Sequence, residues 1–266
     1  MMNNTNLIAR HLEVALQAAR QAGSYVLEAG KNPQIEVHDK HLNDFVTDAD
    51  RASEDLIIST IRKHFPDDAI FGEETGTSGS SGHGRWIIDP IDGTTNFFRS
   101  LPNYTISIAW EIEPFHPLVG VVLNPRQQEL FWASEGAGAY LNGQQITVSS
   151  VKEFAKSLMV CVPPHRRHEL VDSYFETAKR LFLATSDFRS YGSCALELAY
   201  IAAGRLDGYY ELCLGYYDMA AGMMLVREAG GMVESADTKQ PFTDSRCDLI
   251  ASNGLIHQHI LHMVHA

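Results

Sequence analysis

Cysteine is scarce and scattered: Cys161, Cys194, Cys213 and Cys247 are the four in a chain of 266 residues, with no C-x-x-C pair among them. That spacing argues against a zinc cluster or a disulfide framework and suits reduced thiols in a cytoplasmic protein. Basic residues are also short, 21 Lys and Arg against 33 Asp and Glu, for a formal charge of −12. General nucleic-acid and membrane-surface binding need a basic patch, so neither partner is expected. The deficit does not exclude a small anionic substrate, because bound divalent cations invert the local field. No apolar run approaches the roughly 18 residues of a membrane span. The opening Met1-Met2-Asn3-Asn4-Thr5-Asn6 lacks a basic-then-apolar leader, so no signal peptide is expected.

What is plentiful is apolar sequence, 45% of residues, enough for one large domain or two fused halves. Helical spacing of Leu7, Ile8, Leu12, Ala15, Ala19, Ala22, Val26 and Leu27 predicts a helix over 6–29, stopped by Gly30 and Pro33. A second helix is expected over 51–64, then a short buried strand at Ala69-Ile70-Phe71 and a Gly/Ser-rich surface loop over 75–84. Trp86-Ile87-Ile88 reads as a strand ending at Asp89, followed by strands over 104–110, 118–123 and 129–133. Asn142-Gly143 marks a two-residue hairpin. Beyond about 150 the pattern alternates: strands at 157–162, 209–212 and 248–252, helices at 170–181, 195–203, 219–229 and from 255. These features predict a mixed α/β (α+β) architecture in two layered halves, 1–150 and 151–266, forming one compact unit.

The most informative stretch is Asp89-Pro90-Ile91-Asp92-Gly93-Thr94-Thr95-Asn96. Two acids three apart can turn toward one point; Pro90 fixes φ, and Gly93 permits close backbone approach to a bound group. Thr94 and Thr95 open a short helix whose free N–H groups suit a phosphate. The same aspartates could instead only bond backbone amides of a turn. Glu73-Glu74 follows a buried strand, Asp50 precedes a helix and Asp218 precedes another, so each could equally be a solvated acid or a helix cap. All of them sit where an element begins or ends. Should Asp50, Glu73, Asp89, Asp92 and Asp218 converge, their repulsion demands multivalent cations, and oxygen ligands without cysteine favour magnesium. Such a cage hydrolyses phosphate esters by in-line attack of water, with no covalent phosphoenzyme.

These segments resemble the signature motifs of the inositol monophosphatase family: Gly72-Glu73-Glu74, Trp86 through Phe97, and Asp218-Met219-Ala220-Ala221-Gly222. Asn43 through Asp50, Gly192-Ser193-Cys194-Ala195, and Gly204 through Glu211 are similar to the family as well, in the family's order. The resemblance implies a layered α-β-α-β-α sandwich, a homodimer, lithium sensitivity, and two or three Mg2+ ions. It places one ion on Glu73, Asp89 and the Ile91 carbonyl, a second on Asp89, Asp92 and Asp218, and a looser third on Glu73 and Asp50. It implies a catalytic set of Glu73, Thr94 and Asp92, with Glu73 and Thr94 orienting and deprotonating the attacking water. Backbone N–H groups of Gly93 and Thr94 would hold the phosphate. Glu211 would accept a substrate hydroxyl beside Gly192, Ser193 and Cys194, with Asp218 also at the substrate. Tyr217 stands where the family mostly has Trp, Cys194 where it commonly has Ala, and Leu214, Gly215 and Tyr216 differ from the usual run.

The expected activity is hydrolysis of myo-inositol monophosphate, a small phosphorylated polyol. The alternatives are relatives acting on 3′-phosphoadenosine 5′-phosphate, fructose 1,6-bisphosphate, NADP or histidinol phosphate, and, in a different class, a non-catalytic metal-binding regulatory protein. Three other signals are read as structural. His165-Arg166-Arg167-His168 is a solvated loop or helix start. His257, His259, His262 and His265 do not converge in a terminal helix. Glu135-Gly136-Ala137-Gly138 precedes a hairpin, not the helix of a dinucleotide site.

Overall fold

Adjacent residues in the central strands are both buried: Ile87 and Ile88, Val121 and Val122, Val160 and Cys161, Tyr209 and Tyr210, Ile250 and Ala251. Side chains of neighbouring strand residues point to opposite faces, so these sheets are covered on both sides. The computed structural model describes residues 4–31, 37–41, 44–79, 83–165, 167–237, 242–244 and 247–266. Of the residues weighed in the sequence, Pro33, Asn43, Ser80-Ser81-Gly82 and Arg166 lie outside the described residues.

The chain begins with α1 (Asn4–Ala29), β1 (Val37–His41), β2 (Asp44–Thr47), α2 (Asp48–His64), β3 (Ala69–Gly72), β4 (Gly76–Ser78), β5 (Arg85–Asp92) and α3 (Thr94–Phe98). It continues through β6 (Thr105–Glu111), β7 (Pro117–Asn124), β8 (Glu129–Ser134), β9 (Gly138–Leu141) and β10 (Gln144–Ile146). Then come β11 (Leu158–Val162), α4 (Val171–Ala184), β12 (Asp187–Arg189), α5 (Cys194–Ala202), β13 (Gly208–Leu214), α6 (Tyr216–Glu228), β14 (Met232–Ser235), β15 (Cys247–Ser252) and α7 (His257–Val264).

An eight-stranded sheet runs β10-β9-β8-β7-β6-β5-β3-β4, and a five-stranded sheet runs β12-β11-β13-β15-β14. Ile57 of α2, Ala15 and Ala18 of α1, and Ile88, Ile108 and Val121 form one core on the outer face of the large sheet. Its inner face, through Ile87, Val122 and Phe131, packs on α5 and α6, which also cover Val160, Tyr209 and Leu249 of the small sheet. The outer face of the small sheet, through Met159, Tyr210 and Ile250, packs on Tyr174 and Leu181 of α4 and Ile260 of α7. The stack is therefore α-β-α-β-α.

Several expectations need correction. The 75–84 segment is not wholly loop, because Gly76–Ser78 pairs antiparallel with β3 as a short edge strand. Backbone pairing makes that strand, and its side chains carry no apolar alternation to announce it. Nor does β5 stop at Asp89. It runs to Asp92, with a register shift against β6 between those two aspartates, so Pro90-Ile91 is a bulge inside a strand, where the missing N–H of proline is tolerated. The edge strands β12 and β14 and the β1–β2 hairpin were not expected from the sequence at all. Asn142 (φ 49°) and Gly143 (φ 82°) make the expected left-handed hairpin turn.

Candidate active site

The bulge in β5 turns two carboxylates toward the N-termini of the central helices. Asp89 is buried, its Oδ1 accepting the Ile91 N–H at 3.0 Å. Asp92 Oδ2 accepts from the Ser193 hydroxyl at 2.6 Å and the Ala195 N–H at 2.7 Å, at the start of α5. Asp218 stands in the first turn of α6, not ahead of it, and its Oδ2 accepts the Gly215 N–H at 2.7 Å. It both caps its helix and lines the cavity. One carboxylate oxygen from each of Asp89, Asp92 and Asp218 lies within 4.8 Å of the others.

Asp50 also differs from its expected place. α2 begins at Asp48, so Thr47 is the N-cap and Asp50 lies in the first turn, its Oδ2 accepting the Thr47 N–H at 2.8 Å and the Thr47 hydroxyl at 2.5 Å. Its Oδ1 is 3.2 Å from the Thr94 hydroxyl, which also lies 3.2 Å from the Ile91 carbonyl oxygen. Asp50 thus sits behind Thr94 and not in the cavity wall. Gly93 caps α3 with φ 92°, and a Cβ there would sit 3.0 Å from the carbonyl oxygens of Asn103 and Gly192, so both conformation and space require glycine. Behind Glu73, a Cβ on Gly72 would lie 2.2 Å from Glu54 Oε1, the oxygen that accepts the Glu74 N–H.

Together these elements enclose a cavity of about 290 Å³. Its wall holds Glu73, Asp89, Ile91, Asp92, Gly93, Thr94 and Asp218, with Gly192 and Ser193 against Gly93 and Asp92, and is continued by Cys194 and Glu211. Every site residue named from the sequence except Asp50 lines it. Two more titratable residues line it that sequence reasoning did not assign: His165, read as solvated loop, and Glu197, the one charge in the apolar helix Cys194–Ala202. That lone charge was the available signal.

Burial and mutual repulsion dominate the electrostatics. Desolvation, then the charges of Glu73, Asp92 and Asp218, push the Asp89 carboxyl well above its ordinary range. Burial lifts Asp92 to about 6 against the lowering effect of its Ser193 and Ala195 hydrogen bonds, and lifts Asp50 to about 6. Burial likewise raises Glu211 and the Cys194 thiol, which is therefore no activated nucleophile. Like charges at such spacing repel by roughly 3–4 kcal/mol per pair at an effective dielectric of about 20. Among the described residues the wall offers six carboxyl groups against one imidazole and no Lys or Arg. A donor set of oxygens alone, too crowded to ionise unaided, fits hard divalent cations. The terminal histidines form no such group: His257 is buried between Ser252 and Glu234, and His259 stacks on Phe154.

The profile of the inositol monophosphatase family matches residues 8–266. The chain is 42% identical over 224 residues to Nus factor SuhB of Escherichia coli strain K12, covering 84% of each chain. The crystal structure of extragenic suppressor protein suhB from Bartonella henselae superposes with TM-score 0.88 at 32% identity, over 96% of this chain and 98% of that one. An inositol monophosphatase from Anabaena superposes with TM-score 0.86 at 35% identity, over 98% of this chain and 96% of that one. With the motifs, the layered fold and the acidic cavity in place, the chain belongs to the inositol monophosphatase family.

Proposed function

We propose that the protein is a magnesium-dependent phosphomonoesterase that hydrolyses myo-inositol monophosphate to inositol and phosphate by direct attack of water. The observation that carries this reading is the oxygen cluster of Asp89, Asp92 and Asp218 in a cavity whose described wall residues include no Lys or Arg. An anionic phosphate ester enters such a cavity only if cations offset the carboxylates. Glu73, Asp89, the Ile91 carbonyl, Asp92 and Asp218 would hold two Mg2+ ions, and Glu73 with Asp50 a looser third. Held there, such ions would supply Lewis acidity toward the phosphate, a lowered pKa for water and neutralisation of a leaving alkoxide.

The chain's own groups do the rest. The Thr94 hydroxyl, fixed between Asp50 and the Ile91 carbonyl, orients the attacking water, and the Glu73 carboxylate takes its proton. The N–H groups of Gly93 and Thr94 orient the phosphate, and Asp92 is held in place for catalysis by Ser193 and Ala195. Elsewhere in the wall Glu211 accepts a polyol hydroxyl; the Tyr209 hydroxyl donates to its Oε2 and fixes its direction. Gly192, Ser193 and Cys194 shape the wall beside it. The same reading expects a cytoplasmic homodimer inhibited by lithium.

Phosphate release from a panel of esters, with and without magnesium, tests this. Inositol 1-phosphate should be hydrolysed fastest, and chelation should stop it. A large lead for 3′-phosphoadenosine 5′-phosphate, fructose 1,6-bisphosphate, NADP or histidinol phosphate would move the assignment to that relative. The second reading, a metal-binding regulatory protein, draws support from the name Nus factor on the E. coli relative, which is not an enzyme's name. Magnesium binding without turnover of any ester would favour it.

A further inference from the structure

Glu197 is a cavity-wall acid to which the mechanism gives no task. It stands in the first turn of α5 and is fully buried. Its Oε1 accepts the N–H of Tyr191 and, at 3.2 Å, the N–H of Gly192. Its Oε2 is buried with no hydrogen-bond partner among the described residues. The facing groups are Asp92 of β5, Cys161 of β11, Tyr174 of α4, and Tyr209 and Glu211 of β13, none of them a cation. Burial, with Asp92 nearby, pushes the carboxyl up to about 8. Toward Tyr191 and Gly192 it acts as a hydrogen-bond acceptor, a role that needs no charge.

The segment it holds is gripped from the other side as well. Asn96 Nδ2 donates to the carbonyl of Tyr191 at 2.7 Å and of Asn103 at 2.6 Å, with the Gly192 carbonyl at 3.3 Å. Gly192 has φ 75°, so the backbone turns sharply between these two clamps. The next residue, Ser193, donates its hydroxyl to Asp92 Oδ2 at 2.6 Å. A continuous chain of contacts thus runs from Glu197 through Tyr191–Gly192 and Ser193 to the Asp92 carboxylate. A helix acid serving only as a cap could be exposed and have both oxygens hydrated. This one is sealed in the cavity wall, with its bonded oxygen committed entirely to the substrate-side segment.

We propose that Glu197 is a positioning residue that holds Tyr191–Ser193 in place and, through Ser193, orients the Asp92 carboxylate for metal binding. This rests on the magnesium reading above. Groups that orient metal ligands typically change metal affinity by about 10–100-fold when removed, so the effect should appear in binding itself, without turnover. An acceptor of the right length should suffice, and charge should not matter.

Magnesium titration calorimetry on the full-length wild type and on Glu197→Gln, Glu197→Asp and Glu197→Leu at pH 7 tests it, with thermal melts to establish that each variant is folded. The glutamine amide keeps the accepting oxygen at the same reach, and its Kd should stay within about twofold of wild type. Aspartate is one methylene short and leucine has no acceptor, so the Kd of each folded variant should rise about tenfold. If Glu197→Leu does not fold, Glu197→Asp against Glu197→Gln still decides. Equal affinities in all folded variants, even with lowered melting temperatures, would mean a structural role only and overturn the inference while leaving the phosphatase reading intact. A wild type that binds no magnesium would bring down both.

Discussion

One part of the cavity wall, Asp89, Ile91, Asp92, Gly93 and Thr94, comes from six consecutive residues. Glu73, His165, the Gly192–Glu197 turn, Glu211 and Asp218 come from five separate segments. The first part is a local object: a bulged strand running into a short helix, whose geometry is dictated by proline and glycine within the motif. The second exists only because β3, α5, α6, β13 and the loop after β11 are brought together by the layered packing. Two of the clustered carboxylates are thus written compactly, whereas the third and the rest of the wall are assembled at a distance. The same contrast appears in the departures of this chain from the family pattern, since Cys194 and the Leu214–Tyr217 run lie at or beside the assembled part.

The sharpest way to test that comparison is at Glu73, which joins the local motif from the end of β3. Glu73→Gln removes the proposed base without changing its volume. Turnover should fall by about 10²–10⁴-fold with the melting temperature little changed, as measured by steady-state phosphate release and a thermal melt. Retention of full magnesium-dependent turnover would remove Glu73 from the mechanism.

In the assembled part, Glu211→Gln should act on substrate choice and spare chemistry. KM for inositol 1-phosphate should rise about tenfold while the constants for an aryl phosphate without ring hydroxyls stay near wild type, the signature of lost uniform binding. An equal loss for both esters would shift Glu211 from substrate recognition to the metal ligands.

Protons should compete with magnesium in the local part. Asp92 takes up a proton near pH 6 in the metal-free protein, so magnesium binding should weaken as pH falls through about 6 and should release protons there. Calorimetry in buffers of different ionisation enthalpy would count them.

The smallest expected effect is on stability. Burial raises the Glu197 carboxyl from 4.5 to about 8, so between those values the folded state holds a proton that the unfolded chain has lost. That contribution is full below the unfolded value and is lost as pH rises through the folded one. Glu197→Gln has no such proton to lose, so its melting temperature relative to wild type should climb by several degrees between pH 5 and pH 9. A constant difference across that range would mean that Glu197 does not titrate in this way.

Much of the fold was legible because long amphipathic helices and paired apolar strands carry their periodicity in the chain. The α1 stripe from Leu7 to Leu27 and the Asn142-Gly143 turn are examples. The edge strands were not legible. Gly76–Ser78 and Asp187–Arg189 are only three residues long, too short for a period of two to be read, and what places them is pairing with β3 and β11. In the site, the clustering of Asp89 with Asp92 could be read from one short string. The place of Asp50 behind Thr94 could not, because the start of α2 at Asp48 turns on the Thr47 cap.

By itself the sequence determined that two aspartates would sit close together between a buried strand and a helix start, since proline and glycine restrict the backbone wherever that string is placed; the bulge that keeps both in β5 came from its pairing with β6. It also determined that the two central helices would be buried on all sides, through their nearly unbroken apolar runs. Only the tertiary structure decided that Asp218 would join the pair, that a single buried acid in α5 would grip the Tyr191–Gly192 turn, and which oxygens face the cavity. Those outcomes depend on distances between elements far apart in the chain, and such distances are set by how the layers pack.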